Sequence, residues 1–600
     1  MWNKRIHPAL AGISSRCQTW GRSLWIARLI LLLFVTKMLW GMWDTWEWPM
    51  GDEAEQHFFN GVRGAKDFRA NCMDWSPLYR YYFGLVFLQT DNALVATILH
   101  RFVIIFITVF LMFEAFRRLI PMGAALLVCL WWVAIPSNLN PLYTVHLFVH
   151  MTNLAALLGF ALSRTPWGKG AALSVLVLST LFVRTEGIVC VGIVSAAILW
   201  SLWMKWRKGE LGGWRRNLLP YLVPSLSVVL IWLCMCAVTY KGIPGTLAAI
   251  RTKGAIAFTQ NFSFTHFQRN PNADVNVWYE APKIAEQEFG KELVSLTGGL
   301  RRNPVAVGKH FRTNLENLLP GIQLAFFNIR SAERNPEMYP TRRAPALAYA
   351  GTVFLVLLWI FGGWILIRDR AFFRERTFHK YSTAWICLIG FLVQAMVVSI
   401  LVLARPSFYL SGIGSLFVLT AICGWALWRR TPWWLQWNGW TLVIALLAFV
   451  FVPSPWTYQE KSYDVPRAVF DALGQRRKIM AEYGTHIVAP VYEPKALALY
   501  LDPEEKIKVE GVDTLLPALE SGVALGKWLY DRRAKLFLAC SQEVVEHAGY
   551  KHFEENPAEY GWQLTGKHRT GQVSWTLFEP IQPYPEDLEK MKQMKKNSGE

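Results

Sequence analysis

Charge is what this sequence has least of. Of its 600 residues only 18% are charged and 53% are hydrophobic, against about 25% charged in an ordinary soluble domain. That balance excludes a plain soluble globule. Several apolar runs approach or exceed the roughly 18–20 residues needed to cross a bilayer. Nucleotide fingerprints are missing too: neither a Walker A loop nor a Gly-x-Gly-x-x-Gly turn occurs, so no soluble nucleotide pocket is expected. The nine cysteines are scattered, with no Cys-x-x-Cys pair, which argues against a disulfide framework or a structural zinc. No internal repeat or low-complexity linker stands out. No small-residue cleavage site follows the first apolar run, so that run is expected to be a retained span and not a signal peptide. The net charge of +19 would suit nucleic acid, but its distribution argues otherwise. Basic residues gather in short clusters between apolar runs, at Arg117-Arg118, Lys205 to Lys208, Arg215-Arg216, Arg368 to Lys380 and Arg429-Arg430. Such clusters mark cytoplasmic loops, and a nucleic-acid partner is set aside.

What is present reads as a polytopic α-helical membrane protein. Lys4, Arg5, Arg16 and Arg22 hold the N-terminus in the cytoplasm ahead of a first span at 23–43. Ten more follow at 92–116, 122–136, 142–163, 171–183, 187–204, 218–240, 345–367, 381–404, 408–428 and 439–453. Two outer loops are expected, 44–91 and 241–344. Every even-numbered span ends near Arg or Lys, as alternating topology requires. From about 454 to 600 the composition turns soluble. Strands are expected at 484–490, 506–512, 534–540, 562–565 and 573–578, alternating with helices at 493–500, 514–532 and 542–548. That order implies a small extracytoplasmic α/β domain.

Chemistry concentrates just past the first span. The stretch Trp46-Glu-Trp-Pro-Met-Gly-Asp-Glu-Ala-Glu-Gln-His-Phe-Phe59 places Asp52, Glu53 and Glu55 among aromatic residues. Acids leaving a span ordinarily just sit in water. Here the flanking rings suggest an interfacial position, and cations are available at span ends: Lys37, Arg101, Arg184 and Arg405. Ionisable groups at membrane depth are costly and mark function. Cations of this kind suit a lipid-linked phosphate, and a carboxylate suits a general base that deprotonates an acceptor hydroxyl or amine.

Four short segments carry a resemblance. They are Asp52-Glu53 directly after the first span, Trp75-Ser-Pro-Leu-Tyr79, Val183-Arg-Thr-Glu-Gly187 between spans, and Arg405 with Phe408-Tyr409 at the head of a late span. In this order the chain resembles the GT-C glycosyltransferases. The branch it resembles is that of the dolichyl- and undecaprenyl-phosphate-sugar transferases, which includes protein O-mannosyltransferases and lipid A aminoarabinose transferases. The resemblance implies a transferase that moves a sugar from a polyprenyl-phosphate carrier to an extracytoplasmic lipid, glycan or protein. It implies Asp52 as the base, Glu53 as its positioning neighbour, and Arg184 and Arg405 with Tyr409 on the donor side. Lys37 and Arg101 are further candidates, and Glu186 orients Arg184. The soluble C-terminal domain resembles the bacterial branch, which implies an inner membrane with a periplasmic domain.

One departure leaves the cofactor open. Members of the group carry a second acid near the outer start of the fourth span, and none stands between Pro136 and Met151. His146 and His150 lie there instead, one helical turn apart, either sharing a divalent metal or serving structure. Asp74 or Glu55 is the other replacement. Cys540 reads as a buried thiol, Asn261-Phe-Ser263 as a formal sequon, and Phe258 to Phe267 as an interfacial helix or a cover for the acceptor. Two rival functions stay in view. One is a flippase of lipid-linked glycans, against which the rim position of the acids argues. The other is a non-catalytic envelope scaffold.

Overall fold

The computed structural model describes residues 23–42, 53–71, 73–90, 92–139, 144–210, 214–270, 280–333, 341–369, 371, 381–428, 437–454, 486–488, 497–499, 508–511, 515, 519, 522–539, 542–570, 573–582 and 584. They form two compact units. The first contains 1–40, 72–79 and 101–455, and the second contains 41–71, 80–100 and 456–600.

The first unit is a helical bundle. Each expected span has a helix, and among the described residues seven helices are long and apolar enough to cross a membrane. Two shorter apolar helices, Met122–Ala134 and Pro166–Phe182, join them. The chain is a polytopic α-helical membrane protein. Start signals are local. The Thr165 hydroxyl accepts from the Gly168 amide at 3.1 Å ahead of Pro166, satisfying a first-turn donor while the proline presets φ. Small residues let the helices approach closely. A Cβ on Gly170 would lie 1.8 Å from the Pro220 carbonyl, and one on Gly362 would lie 2.5 Å from Cys423 Cβ.

The segment 241–344, expected as an outer loop, is mainly helical instead. Gly242–Arg269, Ala281–Phe289, Leu296–Arg302 and Pro304–Phe327 enclose a core of Phe258, Phe262, Ala285, Phe289 and Val307. The spacing of Phe258 and Phe262 is helical, but the helices around them are only moderately apolar. Ser295 caps Leu296–Arg302 and Asn303 caps Pro304–Phe327, while Gly290 ends Ala281–Phe289 and Asn328 ends Pro304–Phe327 in left-handed backbone. This packing corrects the interfacial reading of Phe258 and Phe262, which face protein. It also closes the sequon, because Asn261 is buried. Two short strands, β1 (Ile329–Arg330) and β2 (Arg342–Arg343), pair in parallel before the helix at Pro345.

In the second unit the expected loop 44–91 is also helical. Its helix Asn60–Lys66 crosses the helix Pro77–Thr90 at backbone contact: a Cβ on Gly84 would lie 2.0 Å from the Gly61 carbonyl. Phe58 stacks on Phe83 at 3.8 Å beside His100. The C-terminal strands are β3 (His486–Val488), β4 (Lys508–Glu510), β5 (Leu536–Ala539), β6 (Trp562–Thr570) and β7 (Val573–Pro580). They form one mixed sheet in the order β4-β3-β5-β7-β6, parallel among the first three and antiparallel after. All four residues of β5 are buried, as a central strand covered on both faces requires. Glu510, buried on the edge strand, accepts two bonds of 2.7 Å from Arg532. Cys540 lies outside the described residues.

Candidate functional site

Two turns between spans build the site in the first unit. After the helix Pro166–Phe182 the backbone extends at Arg184 (φ −145°, ψ 125°), tightens through Thr185–Gly187, and enters the next span at Ile188. Gly187 is obligatory here, since a Cβ would sit 2.4 Å from the Thr180 hydroxyl. Arg184 donates to both oxygens of Glu186, at 2.6 and 3.2 Å. The second turn repeats the form. Arg405 is extended (φ −138°, ψ 146°), Pro406–Tyr409 tighten, and a span starts at Leu410. Arg405 is buried, and its Nε donates to Ser407 Oγ at 2.9 Å.

Both guanidinium groups face one ring. Arg405 lies 4.2 Å from the Phe408 centroid and Arg184 lies 5.9 Å from it, within range of the ring quadrupole. Arg184 is also 5.9 Å from Trp75, and the Lys253 ammonium stands 4.4 Å from that indole. Trp75 is fixed by its neighbour: Ser76, in left-handed backbone at φ 49°, donates to the Val183 carbonyl at 2.8 Å. Such strain in a non-glycine residue is tolerated where the surroundings over-determine it.

Asp74, one of the two acids named as a replacement, has a buried carboxylate that holds Lys241 at 2.9 Å and Lys253 at 3.7 Å. Sequence reasoning does not find these lysines, because the segment that carries them, the helix Gly242–Arg269 and its cap, reads as loop. The signal was there: Asp74 is an acid beside Trp75 that needs a counter-charge once buried.

A hydrogen-bond chain inside the bundle links the turns. Asn153 donates to Ser411 at 3.0 Å and accepts from Ser179 at 3.1 Å; the Ser179 carbonyl in turn accepts from the amides of Val183 and Arg184. Asn314, on the helix Pro304–Phe327, holds the other turn by donating to the carbonyls of Ile400 and Val402 and accepting from the Ala404 amide. His310 stands beside it, 2.6 Å from Thr265 Oγ1, and burial pushes its imidazole down to about 4. Between the turns opens a pocket. Its wall includes His146, Arg184, Glu186, Gln394, Phe408, Tyr409 and Ser411.

Asp52 lies outside the described residues, as does the side chain of Glu55. Glu53 is buried in the second unit, where it begins a wide π-type helical segment, Ala54–Phe59. Arg101 is buried in the helix Ala93–Leu119. Lys37 reaches the Phe449 carbonyl and lies 5.1 Å from that residue's ring, so it ties two helices together. His146 presents its ring to the Phe408 ring edge-on, 5.0 Å between centroids, while His150 meets Ser411 Oγ at 3.3 Å. Among the described residues no three His, Cys, Asp or Glu side chains converge as a metal site, and the two histidines engage different partners. They do not fit a metal by themselves.

No model of a known protein family matches the chain, and no curated protein does. Solved structures do match. An oligosaccharyltransferase of Archaeoglobus fulgidus in the apo form aligns at 12% identity and a TM-score of 0.45, over 86% of this chain and 69% of that one. The same protein in complex with zinc and sulfate aligns at 11% and 0.45, over 91% and 72%. ArnT from Cupriavidus metallidurans, bound to undecaprenyl phosphate, aligns at 12% and 0.36, over 91% and 97%. At such identities and TM-scores, what this chain does has to be read from its own residues.

Proposed function

We propose that the chain is an integral-membrane glycosyltransferase. It moves one sugar from a polyprenyl-phosphate carrier to an acceptor on the side opposite the basic clusters, the periplasmic side of a bacterial inner membrane. The observation that carries this reading is the pair of arginines, Arg184 and Arg405, set against Phe408, which with Arg184 lines a pocket between spans. Guanidinium forks match phosphate oxygens, and in a site of low dielectric they stabilise the charge that grows on a leaving phosphate. A donor that arrives within the bilayer needs no nucleotide fold.

In the reaction the acceptor oxygen or nitrogen bonds to the anomeric carbon as the carbon–oxygen bond to the phosphate breaks. The acceptor's proton passes to Asp52, and Glu53 positions that carboxylate. The bonding pair leaves on the carrier phosphate, which Arg184 and Arg405 receive. Glu186 orients Arg184 through its two bonds. No step is routed through a metal.

The test is mass spectrometry of envelope glycolipids and glycoproteins from cells with the native chain, without it, and with Asp52→Asn. One hexose or pentose is expected to vanish in the last two while the variant accumulates normally in the membrane. Unchanged glycans without the chain, or full transfer by Asp52→Asn, sinks the proposal. A scaffold tolerates the substitution, and a flippase mutant retains glycan on the cytoplasmic leaflet.

A further inference from the structure

The pocket between the two turns contains one buried polar group that the transfer chemistry above does not use. Gln394 sits on the helix Ser382–Leu401, about two turns before its end. It is 7% exposed and lines the pocket, and its carboxamide oxygen makes no hydrogen bond. The amide therefore keeps an unmet polar atom. In the interior of a membrane span such a group is costly. A lipid tail in the pocket offers it nothing. A hydroxyl group does.

The rest of the wall narrows the choice. The two formally charged side chains on it, Arg184 and Glu186, are paired with each other at 2.6 Å. Ser411 is already engaged by Asn153 and His150. Phe391, Val149, Ala395 and Leu410 supply apolar surface. Dipoles at some points and carbon surface at others match a pyranose or furanose ring, with its hydroxyl edges and C–H faces. A carboxylate or ammonium on that ring would be desolvated in a wall whose charges are already matched.

We infer that this pocket is the sugar subsite, that Gln394 takes a hydrogen bond from a ring hydroxyl, and that the sugar is neutral. The inference rests on the glycosyltransferase reading and adds to it the class of sugar and a residue that selects it. Gln394 is a specificity-determining residue with no part in proton transfer or in gripping the phosphate.

Native mass spectrometry of the full chain in lipid nanodiscs tests it. The probes are bare undecaprenyl phosphate and the same carrier bearing glucose, galactose, mannose, a uronic acid or an amino sugar. At least one neutral-sugar carrier is expected to bind about tenfold more tightly than the bare carrier, the scale of one buried hydrogen bond. Gln394→Leu should remove that increment and leave bare-carrier binding unchanged. Gln394→Glu, nearly isosteric, should turn the preference toward the amino sugar, and it serves if the leucine variant does not fold. If the bare carrier binds but no neutral sugar adds affinity, or the increment survives both substitutions, the subsite assignment fails and the transferase reading stands. If the native chain prefers the uronic acid or the amino sugar, neutrality is wrong. If the bare carrier does not bind at all, both readings fall together.

Discussion

The Arg184 and Arg405 turns are two versions of one device. Each places an extended arginine after a helix, tightens for three or four residues, and opens a span. In each, the residue two positions on holds the arginine side chain. In the first that residue is Glu186, a carboxylate; in the second it is Ser407, a hydroxyl. The carboxylate neutralises the charge it orients, whereas the hydroxyl orients without adding charge of its own. The same geometry thus brings two guanidinium groups to Phe408, one oriented by a carboxylate and one by a hydroxyl. Their supports differ as well. The first turn hangs from Ser179 within the bundle, while Asn314 holds the second from the helix Pro304–Phe327.

Removing the more deeply buried arginine should have the largest effect. Arg405→Ala is expected to weaken undecaprenyl-phosphate binding about 100-fold, the scale of one desolvated charge-assisted contact, as read by native mass spectrometry. Arg405→Lys should lose less. A comparable loss from Arg184→Ala would erase the proposed ranking. Acid should strike one turn and spare the other. His310 has its pKa lowered by burial to about 4, so between about 6.5 and 4 the unfolded chain binds the proton and the native one resists it. Stability is full above the unfolded value and falls as pH drops through this window, by about 3 kcal/mol at most. Hydrogen exchange at pH 7 and pH 5 should show residues 398–405 opening before 179–187. His310→Gln should flatten that dependence. Glu186→Gln works in the opposite direction: with Arg184 no longer neutralised, carrier binding should tighten up to about tenfold. Ser407→Ala, which removes one bond of 2.9 Å, should weaken it only about threefold. If the glutamine variant weakened binding instead, screening would not be what separates the two turns.

How legible was all this in the sequence? Span positions were, because lipid demands about twenty apolar residues and little else imitates them. The C-terminal strands were too: β3 to β7 all fall on runs that read as strands, since their apolar residues are bounded by polar and turn-forming ones. The two arginine turns stood out as charges between apolar runs. What stayed hidden was long-range pairing. Nothing local to Asp74 reveals that Lys241 and Lys253 come back to it, and nothing in the Lys253 segment looks like a span or a strong amphipathic helix. Asn314 and Gln394 were unreadable for a similar reason: one polar residue in a helix looks alike whether it faces water, a turn or a pocket.

The Asp74 anchor also bears on how the chain is made. Lys241 follows Asp74 by 167 residues, so at about 5–20 residues per second the ribosome needs roughly 8–33 s to deliver the first lysine. Through that interval the carboxylate, which lies between helices and not within a span, stays in contact with water, and the ion pairs close only once the helix Gly242–Arg269 and its cap have been made. Any fragment that stops short of position 241 carries the acid without either lysine.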